Sequence, residues 1–295
     1  MMRPRGSRAE MKSFYTLLEQ ARAISPATRS FFEQSQSLAA ALHGWIYARF
    51  TQPYINFLLK PRRGGSGKAS RWLADHYHGK VLTHEQARAI VVNERVIRRD
   101  LEQVVPYPTA REIVLNGPPE IAAYECVCRH ARPSPCQPTM VCMVVGQPMV
   151  DLILEHHPDQ SRRLSQQEAL ELLRSEHERG HVHAAWFKDA VLGRFYAICN
   201  CCKCCCGGIR CMRNSGVPFL AASGYAGEID RENCSLCGAC IDICPFDALA
   251  LKEDSVELAW EKCLGCGACE AMCPSGAARL VRDERKGIPL DVRAL

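Results

Sequence analysis

Several absences narrow the field before any motif is read. No G-x-G-x-x-G follows a strand-like run anywhere in the 295 residues, so the chain carries no dinucleotide or flavin fingerprint. Direct hydride chemistry is therefore not expected. The run "LLKPRRGGSGKAS" (58–70) has Arg62 where a phosphate loop needs its first glycine and Ala69 where it needs Ser or Thr. It reads as a linker. The basic residues are scattered rather than clustered with aromatics, and aromatics make up only 7% of the chain, so nucleic-acid binding is not indicated. No uninterrupted apolar core or A-x-A site follows the basic amino terminus, so no signal peptide is read and a reducing, cytoplasmic setting is expected. Long apolar runs are also missing. The nearest, "SLAAALHGWIYARFTQPYINFLL" (37–59), is interrupted by His43, Arg49, Gln52 and Pro53. It is expected as a buried helix ending near Pro53, or as an aromatic face giving peripheral association with a membrane or membrane complex.

What the chain does have is cysteine, 19 of them, in a sequence whose 47% hydrophobic and 23% charged content is ordinary. In a reducing compartment clustered thiols bind metal more often than they form disulfides. Charge is lopsided: twelve acidic and six basic side chains give residues 227–285 a charge of −6, and the rest carries +11 towards the total of +5. An acidic module thus follows a basic body, which bears on how partners are steered.

Two near-copies lie in that module, "CSLCGACIDICPFDALAL" from Cys234 and "CLGCGACEAMCPSGAARL" from Cys263. Each reads C-x2-C-x2-C-x3-C-P, a spacing that serves [4Fe–4S] clusters, with the fourth cysteine ligating the other cluster. One cluster then takes Cys234, Cys237, Cys240 and Cys273, and the other Cys263, Cys266, Cys269 and Cys244. Gly238, Ala239, Gly267 and Ala268 are small enough for backbone amides to approach the sulfides, and Pro245 and Pro274 fix the turn after the fourth ligand. "ALALKE" and "VELAW" alternate as short strands. Over roughly 226–283 the chain resembles the bacterial-type two-[4Fe–4S] ferredoxins. That resemblance implies a small α+β module moving single electrons.

Eleven cysteines remain upstream. "ECVCRHARPSPCQPTMVC" holds Cys126, Cys128, Cys136 and Cys142, four thiols that could bind one centre, either a further iron–sulfur cluster or a zinc. "ICNCCKCCCGGIRC" (198–211) holds seven more. Neighbouring residues of an extended chain point opposite ways, so these seven must divide between sites. Cys199, Cys202, Cys205 and Cys206 are the candidate ligands there. One or two additional centres are expected, and thiols left beside a cluster would suit an anaerobic setting. With "RDLEQVVPYPTAREIVLN", "EHERGHVHAAWFKD" and "RKGIPLDVRAL", these blocks resemble a group of 4Fe-4S-binding proteins in which C-x-C-R and CNCCxCCC blocks precede a ferredoxin module. The resemblance implies extra clusters and supplies no reaction.

"HERGH" (177–181) matches H-E-x-x-H, but Gly180 is expected to end the helix, and Ala184 and Phe187 break any metzincin continuation. His181 and His183 remain as candidates for a ligand or a proton donor. "SQQEALELLRSEHERG" is expected as a helix with a Ser165–Glu168 capping box, and "THEQARAIVVNERVI" and "TAREIVL" both show helical spacing.

The expected fold is α+β: a mainly helical amino-terminal body with cysteine-rich loops, followed by a dicluster ferredoxin-like domain. Its parts are a helical, surface- or membrane-associated segment at 1–60, a cysteine-rich domain at 61–225, the ferredoxin domain at 226–285 and a tail at 286–295. Relay of single electrons between the two clusters, an upstream centre and a redox partner protein is the leading function. A reductase with a substrate-binding upstream cluster, and a redox-sensing protein with a metal clasp, are the alternatives.

Overall fold

The computed structural model describes residues 24–59 and 67–295. Most of the expected linker lies outside them, and so do the first twenty-three residues of the segment expected as helical.

Three helices open the described chain: α1 (Pro26–Gln34), α2 (Leu38–Arg49) and α3 (Thr51–Leu59). Ser25 and Ser37 cap the first two by accepting from backbone N–H groups three residues on. The apolar stretch at 37–59 therefore breaks at Phe50, not near Pro53. Pro53 sits in the first turn of α3, where its missing N–H leaves no intrahelical bond unmade. No helix among the described residues is long and apolar enough to cross a membrane. α2 buries Ala41, Gly44, Tyr47 and Ala48 along one face and exposes Leu42 and Ile46 on another.

The body is not mainly helical. After α4 (Gly67–His76) it is organised by a nine-stranded sheet whose main path runs β6-β4-β5-β8-β7-β1-β9, with β2 and β3 attached beside β8. The strands are β1 (Tyr77–Leu82), β2 (Ile97–Asp100), β3 (Glu112–Leu115), β4 (Ile121–Glu125), β5 (Met140–Val145), β6 (Ser161–Leu164), β7 (Val182–Lys188), β8 (Arg194–Cys201) and β9 (Leu220–Ala221). Every residue of β7 is buried, His183 and Lys188 included, so the strand lacks the apolar–polar alternation that would identify it. "TAREIVL" is a related correction. Its last four residues form β3, because a four-residue apolar spacing fits either period and Ile113 and Val114 are β-branched.

Helices α5 (His84–Val91), α6 (Val127–His130), α7 (Met149–His156), α8 (Gln166–Glu178) and α9 (Gly207–Ser215) lie between the strands. Capping boxes open α5 at Thr83 and α8 at Ser165. Two apolar cores result. One joins α1–α3, α7 and the thiol-bearing face to the carboxy-terminal module, and the other includes residues of α5, α8 and the chain end, where Leu290 and Val292 are buried. The segment expected as a tail thus packs into the body.

The carboxy-terminal module pairs β10 (Tyr225–Ile229) with β13 (Ala278–Arg282), antiparallel, and folds β11 (Leu249–Lys252) onto β12 (Ser255–Leu258) as a hairpin. Short helices α10 (Ala239–Ile243) and α11 (Ala268–Ala271) follow the two cysteine loops. Gly180, at the end of α8, lies so close to Ile243 and Met272 that a Cβ would overlap Ile243, which seats the module against the body.

Candidate metal centres

In the carboxy-terminal module the two halves turn identically. Gly238 and Gly267 precede α10 and α11 at φ +78° and +82°, a left-handed conformation that a side chain resists. Each turn delivers the third cysteine of its run onto a helix. Cys234, Cys237, Cys240 and Cys273 line one hollow with Ile229 and Val256, while Cys263, Cys266, Cys269 and Cys244 line a second with Phe246 and Leu258. Backbone N–H groups point at the sulfurs: Gly227 donates to Cys263 at 3.4 Å, Ala248 to Cys244 at 3.3 Å and Ala278 to Cys273 at 3.4 Å. Burial pushes the Cys269 thiol up to about 12 and Cys266 higher still. A thiolate there needs a cation beside it, so the donor set, the N–H bonds and the enclosure fit iron–sulfur groups.

The sheet assembles an upstream hollow. β5 and β8 pair Met143 with Ile198 and Val144 with Ala197, which sets Cys142 beside Cys199. Cys199 and Cys201 are two apart on β8 and share a face, while Asn200 points the other way. Cys126 and Cys128 arrive from the end of β4 and from α6, and Cys206 stands just ahead of α9. Sulfur contacts run in sequence from Cys199 through Cys142, Cys126, Cys128 and Cys206 to Cys201. Hydrogen bonding with Cys128, then burial, raises Cys126 to about 12. The space, open on one side, is about 70 Å³, several times what one water needs. Cys202 and Cys211 also line it, with Tyr77, Trp186 and Phe219.

The expected ligand groups are thus divided differently. Cys126, Cys128 and Cys142 come together with Cys199 and Cys206, whereas Cys136 stands with Cys202, Cys204 and Cys205, all four sulfurs within 4.8 Å of one another. Cys201 and Cys204 were not among the expected ligands. Cys201 was legible from the two-residue period of "RFYAICNC"; Cys204 carried no such signal, because it sits in a turn.

A buried cation lies against these thiols. Arg129 is fully buried and donates to Glu176 at 2.9 Å, to the Asn200 carbonyl at 3.2 Å and to the Pro138 carbonyl. Burial opposes ionisation of Glu176, yet bonds from His181 and Arg129 hold its carboxyl below the usual range. The H-E-x-x-H pair is divided. His181 bonds Glu176 at 2.7 Å, while His177 joins His84 and His183, three ring nitrogens within 4.8 Å of one another. His183 Nδ1 lies 2.6 Å from Asn200 Oδ1, and burial pushes its pKa down to about 3. Three neutral imidazoles around one point can share a proton or hold a divalent ion.

Residues 233–277 match a family model described as a 4Fe-4S dicluster domain. No curated protein matches the chain as a relative. The carboxy-terminal segment is an iron–sulfur module.

Proposed function

We propose that this protein relays single electrons between its dicluster module, an upstream iron–sulfur centre and a redox partner protein. Cys234, Cys237, Cys240 and Cys273 would hold one [4Fe–4S] cluster, Cys263, Cys266, Cys269 and Cys244 the second, and thiols of the upstream hollow a further cluster. Such groups, when bound, supply one-electron transfer at a potential set by hydrogen bonds to sulfur and by burial.

The observation that carries this reading is the join between the two thiol regions. Lys203, inside the cysteine-rich turn, donates to the Asp242 carbonyl oxygen at 3.1 Å, and Asp242 lies two residues before Cys244. Cys201, Cys206, Cys240, Cys244 and Cys263 belong to one continuous apolar core. Cys237, in contrast, is exposed. That order of burial supports an electron route from a partner at the Cys237 edge, inward past Cys244 to the upstream hollow.

Two unsatisfied donors support a cluster in the hollow. Trp186 Nε1 and Arg129 Nε are buried without a hydrogen-bond partner, and both side chains line the space. Buried N–H groups rarely go unpaired, and sulfide or thiolate sulfur would accept from them. Resemblance of the upstream blocks to other 4Fe-4S-binding chains points the same way.

Anaerobic iron and sulfide counting with EPR tests the proposal. About twelve or more cluster irons per chain is the expected result, at four per cubane. About eight would leave the module alone and remove the upstream cluster.

A further inference from the structure

We propose that Cys136, Cys202, Cys204 and Cys205 bind a single metal ion, zinc or iron, in tetrahedral tetrathiolate coordination, separate from every iron–sulfur cluster. The site goes beyond the electron-relay reading and does not depend on it.

Spacing carries the argument. Four thiolates on one ion at about 2.3 Å lie roughly 3.8 Å from each other, the edge of a tetrahedron. Ligands of a cubane each take a different iron and stand further apart. In this chain Cys136 and Cys204 are 2.7 Å apart, Cys204 and Cys205 are 3.5 Å apart, and all four sulfurs fall within 4.8 Å. Among the described residues no three of the eight carboxy-terminal cysteines approach so closely, nor do any three of the six linked thiols in the upstream hollow. The same fold thus holds one set of four mutually close sulfurs, with Cys204–Cys205 near the tetrahedral edge and Cys136–Cys204 shorter than it, and such a set suits a single ion better than a cubane.

Chain placement gives the ion a role. Cys136 belongs to the loop between α6 and β5, and the other three belong to the turn between β8 and α9, 68 residues away for the Cys136–Cys204 pair. Cys202 also lines the upstream hollow, and Lys203 between the ligands reaches the carboxy-terminal module. An ion here pins the turn that closes the hollow and presents Lys203. With four protein ligands and no open position, the site is structural.

The test uses the full chain purified anaerobically. Total metal is expected to exceed the cluster iron by one ion per chain. If the ion is zinc, X-ray absorption at the zinc edge shows four sulfurs at about 2.3 Å and no neighbouring metal; if it is iron, a mononuclear high-spin ferric EPR signal appears on oxidation. Cys204→Ser should release that one ion and leave cluster iron, sulfide and cluster EPR unchanged. Loss of about four irons with sulfide in that variant would overturn the proposal in favour of a cubane. A wild-type chain with no extra ion and a Cys136–Cys204 disulfide in its peptide map would overturn it too. Should Cys204→Ser not fold, cobalt-grown wild-type protein decides: thiolate-to-cobalt charge-transfer absorption is expected, and its absence refutes the site.

Discussion

Lys203 and Asp247 face each other at 3.3 Å across the join between the cysteine-rich turn and the carboxy-terminal module. Arg213 reaches the same carboxylate at 2.7 Å. Both ends of the Lys203–Asp247 pair are partly exposed, so the pair is worth at most about 1 kcal/mol. Its importance is positional, because it holds the upstream turn against the chain that leaves Cys244.

Replacing Lys203 with Met should therefore cost less than about 1 kcal/mol and leave iron content intact. Electron exchange between the two thiol regions should slow several-fold, as followed by rapid-freeze EPR after partial reduction. An unchanged exchange rate in a variant of full iron content would put the route elsewhere.

Cys266→Ser and Cys237→Ser should each lose about four irons from the carboxy-terminal module. The half-buried Cys266 variant should also lower the melting temperature more than the exposed Cys237 variant does. Full iron and sulfide in either protein would remove that cysteine from the ligand set.

Arg129→Met removes the fully buried partner of Glu176, which keeps Arg179 and His181 at 2.7 Å each, and should destabilise the fold by about 1–3 kcal/mol. The double change Arg129→Met with Glu176→Leu should recover part of that loss. Urea unfolding of the three proteins checks the coupling, and simple additivity would show that the pair does not act as a unit.

Trp186→Phe keeps an aromatic ring at the upstream hollow and removes the unpaired indole N–H. If that N–H donates to sulfur, the upstream potential should fall by roughly 40 mV, about one hydrogen bond for one electron. Redox titration reads the shift, and the carboxy-terminal potentials serve as the internal control.

Acid should weaken the fold below neutral pH. His183 is held neutral by burial with a pKa pushed down to about 3, and the unfolded imidazole titrates near its ordinary 6.5. As pH falls through 6.5 the unfolded chain takes up a proton that the folded one refuses, so stability present above 6.5 is lost on acidification. By pH 5 the loss from this group is about 2 kcal/mol. Denaturation midpoints at pH 7.5 and 5 should differ by more in the wild type than in His183→Gln.

How much of this was readable in the chain depends on how local the constraint is. The repeated C-x2-C-x2-C-x3-C-P runs, the Ser165–Glu168 capping box and the "ALALKE"/"VELAW" hairpin all act within a few residues, and each is legible. The nine-stranded sheet was not. Its central strands are covered on both faces, which removes the alternation that separates strand from helix.

By itself the sequence determined that thiols gather in three blocks and that the last block has the spacing of a dicluster module, because ligand spacing within one tight loop is a property of the local chain. Only the tertiary structure decided how the upstream cysteines divide. Cys142 meets Cys199 because β5 pairs with β8, Cys201 shares the Cys199 face, and Cys136 crosses to Cys204 from a distant loop. Strand register and loop docking carry that information, and neither is written in the spacing of the residues they bring together.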